Sequence, residues 1–245
     1  MRVFLIRHPQ PLIEPGVCYG RLDVDADAEH LRASSERLAA RLAREVLTGP
    51  LAVAHPGRQY DSCCPRIVAS PARRCRGLAD ALAATLGATP HYDARLLEKD
   101  FGDWEGRRWD DIDPQLIDAW AADLMHFVPP GGESVSELAA RALACAADLG
   151  VPGVDTLPGI QRATGASSQP AASGDTLVLV THAGVIRVLL GHWLGLPLAE
   201  WSTLKLEFGA LTRVDFVAEN TALAANTGQG ANAGDWKAVL HTLNG

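Results

Sequence analysis

The sequence predicts an α/β protein: a three-layer α/β/α sandwich with a mostly parallel sheet and a helical cap over the carboxyl ends of the strands. Two short, continuously apolar runs, at residues 3–6 and 177–180, are typical of strands buried on both faces of a sheet. Segments with apolar residues at helical spacing alternate with these and further strand-like runs. Because parallel strands need crossover connections, this alternation favours helices on both faces of one sheet.

Each element follows from a local pattern. Strands are predicted from short apolar or alternating runs, and helices from apolar residues at helical spacing. Gly87 is expected to cap the second helix, and the strand near 91–97 leads into Glu98. In chain order, the predicted elements are strand 3–6, helix 29–47, strand 66–69, helix 72–86, strand 91–97, helices 110–127 and 134–149, strand 177–180, helix 183–194 and strands 211–217 and 236–243.

The length of 245 residues suits a single domain over 1–245. The helices between about 100 and 149 are expected to form the cap over the strand ends. Three segments lack helical or strand-like periodicity, and two of them are rich in small and polar residues, so we expect loop insertions there. These segments lie at about 49–65, 151–175 and 219–234.

Composition argues against several classes of protein. The formal net charge of −7, with no basic stripe, argues against a nucleic-acid partner, and no apolar stretch approaches the roughly 20 residues of a membrane span. The first strand begins at residue 2 or 3, which leaves no room for a secretory leader, so we expect a cytoplasmic protein. Five cysteines without a CxxC pair favour neither a disulfide framework nor a zinc site. We expect small-molecule partners, no membrane, metal or cofactor, and leave a homodimer open.

Two histidines mark the candidate site. His8 and His182 each follow an apolar strand by one or two residues, and Arg7 stands beside the first of them. Ligands of parallel sheets collect at the carboxyl ends of the strands, so both imidazoles are expected at the same rim. A helix that begins at Ala183 would point free backbone N–H groups into the same space. Arginine beside histidine indicates an anion site.

The start of the second predicted helix supports an anion site. Arg73 and Arg74 lie in its first turn, where cations oppose the helix dipole, and a bound anion would remove this conflict. Read alone, the two arginines fit a solvated surface equally well. By contrast, the acidic residues Asp110, Asp111 and Asp113 fit capping at a helix start better than metal ligation.

The ordered motifs resemble those of the histidine phosphatase superfamily, in its phosphoglycerate mutase-like branch. Arg7-His8 resembles the RHG signature, with Pro9 in place of the glycine and hence without one backbone N–H. The other motifs that match are Ser70-Pro71-Ala72-Arg73 with SPxxR, Leu97-Glu98 with LxE, 101–106 with FGxWEG, 130–134 with the GGES turn and 181–184 with the second histidine motif. The resemblance spans residues 5–187 and implies a phosphoglycerate mutase-like fold.

The resemblance also implies roles for single residues. His8 would be the nucleophile that takes the phosphoryl group, while Arg7, Arg73 and a protonated His182 would hold its oxygens. Such fixed cations are what phosphoryl transfer needs, because negative charge spreads over the equatorial oxygens. They should also keep His8 neutral in the empty site. Glu98 would give the proton to the leaving alcohol; the alternative is an arginine salt bridge.

Several substrates and functions remain open at this stage. The covering segment holds few basic residues, so a doubly anionic substrate is expected to fit poorly. The segment 16–23 resembles α-ribazole 5′-phosphate phosphatases of cobalamin biosynthesis, which is the closest resemblance. Four residues are then candidates for substrate binding: Tyr19, Gly20, Arg21 and Trp104. The alternatives are a phosphoglycerate mutase-type phosphotransferase and a noncatalytic phosphate-binding protein.

Overall fold

The computed structural model describes residues 1–47, 65–152, 176–218 and 236–245. Its strands form one six-stranded sheet in the order β3-β2-β4-β1-β5-β6. The strands are β1 (Arg2–Arg7), β2 (Arg66–Ala69), β3 (Pro90–Tyr92), β4 (Thr176–Thr181), β5 (Leu211–Ala218) and β6 (Trp236–Thr242). The three predicted loop insertions fall almost wholly outside the described residues.

The sheet is mostly parallel. β1 pairs with β4, β4 with β2 and β2 with β3, all in parallel, whereas β5 runs antiparallel to β1 and β6 antiparallel to β5. β1 and β4 lie at the centre, which explains their continuously apolar sequences. Side chains alternate between the faces of a strand, so Val3 and Leu5 enter one core while Phe4 and Ile6 enter the other.

Helices cover both faces of the sheet, which confirms the predicted three-layer sandwich. The α-helices are α1 (Ala28–Leu47), α2 (Arg73–Leu86), α3 (Pro114–Ala122), α4 (Val135–Asp148), α5 (Ala183–Trp193) and α6 (Leu198–Trp201). α1 and α2 pack on the face that holds Phe4, and α4 and α5 on the face that holds Leu5. α4 begins at Ser134 with a capping box to Glu137, as its GGES sequence favours.

The position of α4 corrects the predicted cap. Leu138, Ala142 and Cys145 of α4 are buried in the same core as Leu5, so this helix is part of a sandwich layer. The segment before α4 forms a separate aromatic cluster instead, built on Trp104 and Ile112 with Phe101, Trp109 and Trp120 packed around them. Within the stretch predicted as cap, this cluster lies apart from the two main cores.

Several element boundaries differ from the predicted ones. β3 ends at Tyr92, because Asp93 accepts a hydrogen bond from the Arg95 N–H and starts a 3₁₀ turn over Ala94–Leu96. The helix predicted over 110–127 is shorter, since Asp113 caps it and Pro114 fixes its first turn. α6 was not predicted at all. None of the helices in the described part of the chain is both long enough and apolar enough to cross a membrane.

Candidate active site

The register of the two central strands brings the histidines together. Arg7 of β1 is paired with Thr181 of β4, so the next residue of each strand, His8 and His182, stands at the same rim. The His8 N–H donates to the Thr181 carbonyl at 2.9 Å, which extends the ladder by one bond. The two imidazole rings lie 5.1 Å apart between centroids, and both side chains are buried.

The surroundings of His8 settle its tautomer. Nδ1 lies 2.7 Å from the carbonyl oxygen of Pro9, which can only accept a hydrogen bond, so Nδ1 carries the proton. In the neutral ring Nε2 then keeps its lone pair. Burial lowers the pKa of His8 well below its ordinary value, and the nearby Arg74 guanidinium lowers it further. A neutral His8 in the empty site was expected from the sequence, and these shifts support it.

His182 is held between a hydroxyl and a guanidinium. Its Nδ1 lies 3.2 Å from Nη2 of Arg74, an obligate donor, so Nδ1 accepts and Nε2 carries the proton. Nε2 in turn donates to Oγ of Ser70 at 2.8 Å. Burial lowers the pKa of His182 well below its usual range, with His8 and Arg74 adding to the effect. These shifts favour a neutral His182 ring in the free protein, whereas the protonated His182 expected from the sequence concerned the phosphate-bound site.

The structure corrects the position of the second site arginine. Arg73 lies outside the site: its side chain is 58% exposed and pairs with Asp25 at 2.6 Å. Arg74 is fully buried and donates to the carbonyls of Gly20 and Leu22 at 2.6 and 2.9 Å, as well as to His182. Counted from Ser70, the SPxxR pattern also ends on Arg74.

Arg7 provides the other cation of the site. Its guanidinium lies over the ring of Phe208, 3.6 Å from Cζ to the centroid, and Nη1 donates to the Leu206 carbonyl. Its buried Nε has no hydrogen-bond partner among the described residues. The arginine is thus fixed by an aromatic face and a carbonyl, and its charge is left for a ligand.

Among the four candidate substrate-binding residues, Tyr19 and Gly20 reach the site. The Tyr19 ring packs edge-on to His8 at 6.4 Å and lies beneath the Arg74 guanidinium. Burial raises the pKa of Tyr19. The Gly20 carbonyl accepts from Arg74.

The other two candidates lie further out. Arg21 forms ion pairs with Asp100 and Glu133 at 3.2 and 3.1 Å, and Trp104 is 1% exposed in the aromatic cluster. In this structure both side chains are held by contacts with other protein groups.

Glu98 is positioned by backbone groups. Its Oε1 accepts from the Lys99 N–H at 3.0 Å and its Oε2 from the Gly184 N–H at 3.2 Å. Gly184 lies two residues after His182, in the first turn of α5, so the carboxylate stands beside the helix that follows the histidine. A Cβ at Gly184 would collide with Oε1 of Glu98, so an alanine there would displace the carboxylate from its present position. Among the described contacts, the Glu98 carboxylate takes no arginine partner.

Two buried neighbours of His182, Ser70 and Cys75, were not among the predicted site residues. Ser70 is fully buried and continues the β2–β4 ladder through its N–H to the Val180 carbonyl, at 2.9 Å. Cys75 lies in the first turn of α2, with Sγ 3.5 Å from Nε2 of His182. Burial raises the pKa of this thiol to about 12, so it is a packing group and not a nucleophile. Ser70 begins the SPxxR motif, which was the available signal.

A cavity of about 460 Å³ opens beside Glu98 and Gly184. Its size is in the range of small-molecule pockets. Most of its wall is apolar, and the residues that line it are Glu98, Lys99, Phe101, Trp109, Trp120, Leu124, Val135, Leu138, Gly184, Arg187, Val188, Leu198, Trp201, Ser202 and Thr203. Glu98 therefore borders both the first turn of α5, which follows His182, and a chamber with aromatic walls.

Over the described ranges, no group of three or more His, Cys, Asp or Glu side chains has a metal-binding arrangement. Asp113 instead caps α3, accepting from the Gln115 N–H at 2.9 Å. The acidic residues at 110–113 thus include the helix cap expected from the sequence.

Comparison with known proteins identifies the family. The model of the histidine phosphatase superfamily (branch 1) matches residues 3–152 and 160–227, so the chain belongs to this superfamily. A glucosyl-3-phosphoglycerate phosphatase of Mycolicibacterium vanbaalenii is 36% identical over 141 residues, which are 56% of this chain and 57% of that protein. A probable phosphoglycerate mutase, GpmB, of Klebsiella pneumoniae is 29% identical over 154 residues, 61% of this chain and 62% of that protein. The chain thus spans less than two thirds of these curated relatives.

Solved structures agree on the fold. The structure described as mycobacterial hydrolase 1 superposes with a TM-score of 0.70 at 24% identity, covering 100% of this chain and 98% of the other. A putative alpha-ribazole-5′-P phosphatase from Escherichia coli gives a TM-score of 0.66 at 19% identity, covering 100% and 96%. The predicted phosphoglycerate mutase-like architecture is therefore confirmed.

Proposed function

We propose that the protein is a phosphomonoester hydrolase that works through a phosphohistidine on His8. The observation that carries this proposal is the state of His8: a buried, neutral imidazole with a lone pair on Nε2, beside two arginines that have no carboxylate partner within the described residues. A neutral nitrogen can attack phosphorus, and fixed cations stabilise the charge that develops on the phosphoryl oxygens.

The first step would transfer the phosphoryl group to the protein. Nε2 of His8 forms a bond to phosphorus while the bond from phosphorus to the ester oxygen breaks. Glu98 gives its proton to the departing alkoxide, which leaves as the alcohol. In the second step Glu98 takes a proton from water, the water oxygen attacks phosphorus and the N–P bond breaks. Inorganic phosphate and neutral His8 are restored.

The cation set would hold the phosphate in both steps. Arg7 and Arg74 supply permanent charge, and Arg74, rather than Arg73, is the second phosphate-binding arginine. A bound phosphate dianion would favour the protonation of His182, because an adjacent negative charge raises an imidazole pKa. Nε2 of His182 already carries a proton, as a donor must. At the start of α5, the Ala183 N–H adds a further donor.

The relatives suggest two substrates. The name of the M. vanbaalenii relative points to glucosyl-3-phosphoglycerate, and the segment 16–23 points to α-ribazole 5′-phosphate. The aromatic wall of the cavity suits either a sugar face or a flat base. We infer a small phosphorylated metabolite, acted on in the cytoplasm without a cofactor.

The test is phosphate release in the presence of chelator from a panel of esters: both candidate substrates, 3-phosphoglycerate, mononucleotides and phenyl phosphate. Wild type is compared with His8→Ala and with His91→Ala, which removes an exposed histidine of β3. We expect hydrolysis in wild type and His91→Ala, its loss in His8→Ala, and acid-labile label on the wild-type protein after quenching with ³²P-labelled substrate. Hydrolysis retained by His8→Ala refutes the phosphohistidine, and transfer without net phosphate release favours the phosphotransferase.

A further inference from the structure

The segment that carries Glu98 belongs to none of the helices and strands described above. β3 ends at Tyr92, and the 3₁₀ turn over Ala94–Leu96 leads into residues 97–100, which have no regular structure. The buried backbone carbonyls of such a segment need partners from side chains or water. In the proposed reaction Glu98 must stand within hydrogen-bond reach of the leaving oxygen. The groups that hold this segment therefore decide whether the acid is in place.

Arg141 of α4 binds the backbone on both sides of the residue before Glu98 and at Glu98 itself. Its Nη1 donates to the carbonyls of Arg95 and Leu97 at 2.7 and 2.6 Å. Its Nη2 donates to the Glu98 carbonyl at 2.9 Å. One guanidinium thus binds three carbonyls within four residues, in a segment that has no strand ladder to bind them.

The fourth carbonyl connects the segment to the strand of the second histidine. Oγ1 of Thr181 donates to the Leu96 carbonyl at 2.7 Å, and Thr181 is fully buried at the end of β4, directly before His182. Four successive carbonyls that end at Glu98 are therefore bound by side chains, and three of them by Arg141. Loss of the guanidinium would release the carbonyls nearest to the acid and keep only the bond one turn before it.

Glu133 fixes the guanidinium of Arg141. Its two carboxylate oxygens accept from Nε and Nη2 of Arg141 at 3.1 and 2.5 Å, and the two side chains are only 13% and 16% exposed. Burial acts to raise the pKa of Glu133, but the hydrogen bonds from Arg141 and from the Asp100 N–H lower it, so the carboxylate is charged at neutral pH. Bidentate pairs of this kind set geometry as well as energy. Arg21 also binds Glu133, but its contact with the Glu98 carbonyl is longer, at 3.4 Å.

The guanidinium of Arg141 has no donor left for a ligand. Arginine has five N–H donors, and the bonds to three carbonyls and to both oxygens of Glu133 use five. Arg7 differs, because its buried Nε has no hydrogen-bond partner among the described residues. Arg141 therefore serves the protein's own backbone, whereas Arg7 has a donor free for the substrate.

We propose that Arg141, locked by Glu133, is the positioning residue that keeps the Glu98 carboxyl group in place for proton transfer to the leaving oxygen. This inference rests on the proposed hydrolase function. Arg141 acts through Glu98 and touches neither the phosphate nor the alcohol part. A displaced acid slows only those esters whose leaving oxygen needs a proton; a leaving group that is already a stable anion departs without one. The pair should therefore determine how well esters with poor leaving groups are hydrolysed.

The first experiment compares kcat/KM for phenyl phosphate and for 2,4-dinitrophenyl phosphate, because kcat/KM reports the transfer to His8 and not the later hydrolysis of the phosphohistidine. Arg141→Gln should lower kcat/KM for phenyl phosphate about 10²-fold and that for the dinitrophenyl ester by about threefold at most. Glu98→Gln should show the same selectivity. Arg141→Lys keeps the charge opposite Glu133 but loses the planar fork, so its values should lie between those of wild type and Arg141→Gln. It also keeps the test decisive if Arg141→Gln does not fold.

Two control variants separate positioning from stability. Arg66→Gln makes the same substitution at an exposed arginine that donates to one carbonyl, that of Leu149 at 2.8 Å, and should keep the wild-type ratio between the two esters. Leu143→Ala removes a buried side chain of α4, two residues after Arg141, and should lower the melting temperature without changing the ratio. The proposal is overturned if Arg141→Gln lowers kcat/KM for both esters equally, or for neither, while Glu98→Gln lowers it for phenyl phosphate alone.

Crystal structures of wild type, Arg141→Gln and Arg66→Gln separate this inference from the proposed function, because they require no turnover. Oε2 of Glu98 accepts from the Gly184 N–H at 3.2 Å, and this bond should be kept in wild type and Arg66→Gln but lost in Arg141→Gln. Its loss supports the positioning role even if wild type releases no phosphate or Glu98→Gln slows both esters alike, in which case only the proposed hydrolase mechanism fails. An unchanged Glu98 carboxylate in Arg141→Gln rejects the positioning role, whatever the activities.

Discussion

Single substitutions at Arg74 and at its neighbour Arg73 compare a buried site residue with an exposed surface residue. Arg74 is fully buried and donates to two carbonyls and to His182, whereas the Arg73 side chain is 58% exposed and pairs with Asp25. The same substitution, arginine to glutamine, removes one charge from either position. The chain therefore contains its own control one residue away.

The expected magnitudes follow from these contacts. Arg74→Gln leaves the carbonyls of Gly20 and Leu22 without their buried donor, at about 1–3 kcal/mol each, so the free energy of unfolding should fall by roughly 3–5 kcal/mol. Arg73→Gln breaks one exposed ion pair, which contributes about 0–1 kcal/mol. In kcat/KM, loss of a cation that stabilises the transferring phosphoryl group should cost about 10³-fold or more, and loss of Arg73 about twofold at most.

The assay combines urea unfolding with phosphate release, corrected for the folded fraction of each variant. Arg74→Lys serves as the conservative variant: it keeps the charge but loses the planar fork, so its activity should lie between those of wild type and Arg74→Gln. The assignment of Arg74 is refuted if the folded Arg74→Gln protein retains wild-type kcat/KM, or if Arg73→Gln loses activity to the same extent.

Two further predictions concern Glu98 and Lys99. Gly184→Ala should lower kcat by about 10²-fold, because it displaces the Glu98 carboxylate. Gly77→Ala is the control and should keep the wild-type kcat, since its added methyl meets only the Leu31 side chain. Equal activity of the two variants refutes the role of Gly184 in positioning Glu98. Because the folded protein lowers the pKa of Lys99 to about 8 from 10.5, the unfolded chain binds more protons between these pH values, and stability should rise with pH there. Between pH 7 and pH 10 this group should raise the free energy of unfolding by about 3 kcal/mol at most. Urea unfolding at both pH values should show that Lys99→Met lacks this contribution. The same rise in wild type and Lys99→Met would contradict the burial of a charged lysine.

The strands and the histidine pair were predictable because one physical rule governs both. Central parallel strands are buried on both faces, so their sequences are continuously apolar and their ends can be located. Once β1 and β4 are adjacent and parallel, the residues after Arg7 and Thr181 must stand side by side. The pairing of β1 with β4 is itself non-local, and the sequence supported it only through matching polar residues at the two strand ends.

Arg73 and Arg74 could not be separated by pattern alone. Both lie in the first turn of α2, and helix geometry turns successive residues by about 100°. Successive residues therefore differ in direction, and which of the two arginines is buried depends on how α2 packs. Cys75, Leu78 and Leu82 define its buried face, which could have been read from the sequence, but charged residues at a helix start are usually solvated and were interpreted accordingly.

The extent of the cap and the burial of Lys99 could not be predicted from local sequence patterns. The apolar spacing of α4 fits a layer helix and a cap helix equally well, and only its packing against Leu5 decides between them. Lys99 follows Glu98 in a region predicted as a loop, where a lysine is expected in solvent, but it is 4% exposed and its ammonium lies 4.5 Å from the Phe101 ring centroid.

The phosphoryl-transfer residues and the cavity wall are positioned by different parts of the fold, and this difference affects what substitutions should do. The transfer machinery is fixed by strand register and by one helix start, so substitutions at His8 or Arg74 should reduce hydrolysis of every ester alike. The cavity wall combines residues of α4 and α5 with the segment 98–124 and with residues 198–203. Substitutions there should instead change the ratio between substrates, as a side chain that contacts the alcohol and not the phosphorus must. A change at a wall residue that lowered the rates for every ester equally would place that residue in the transfer machinery instead.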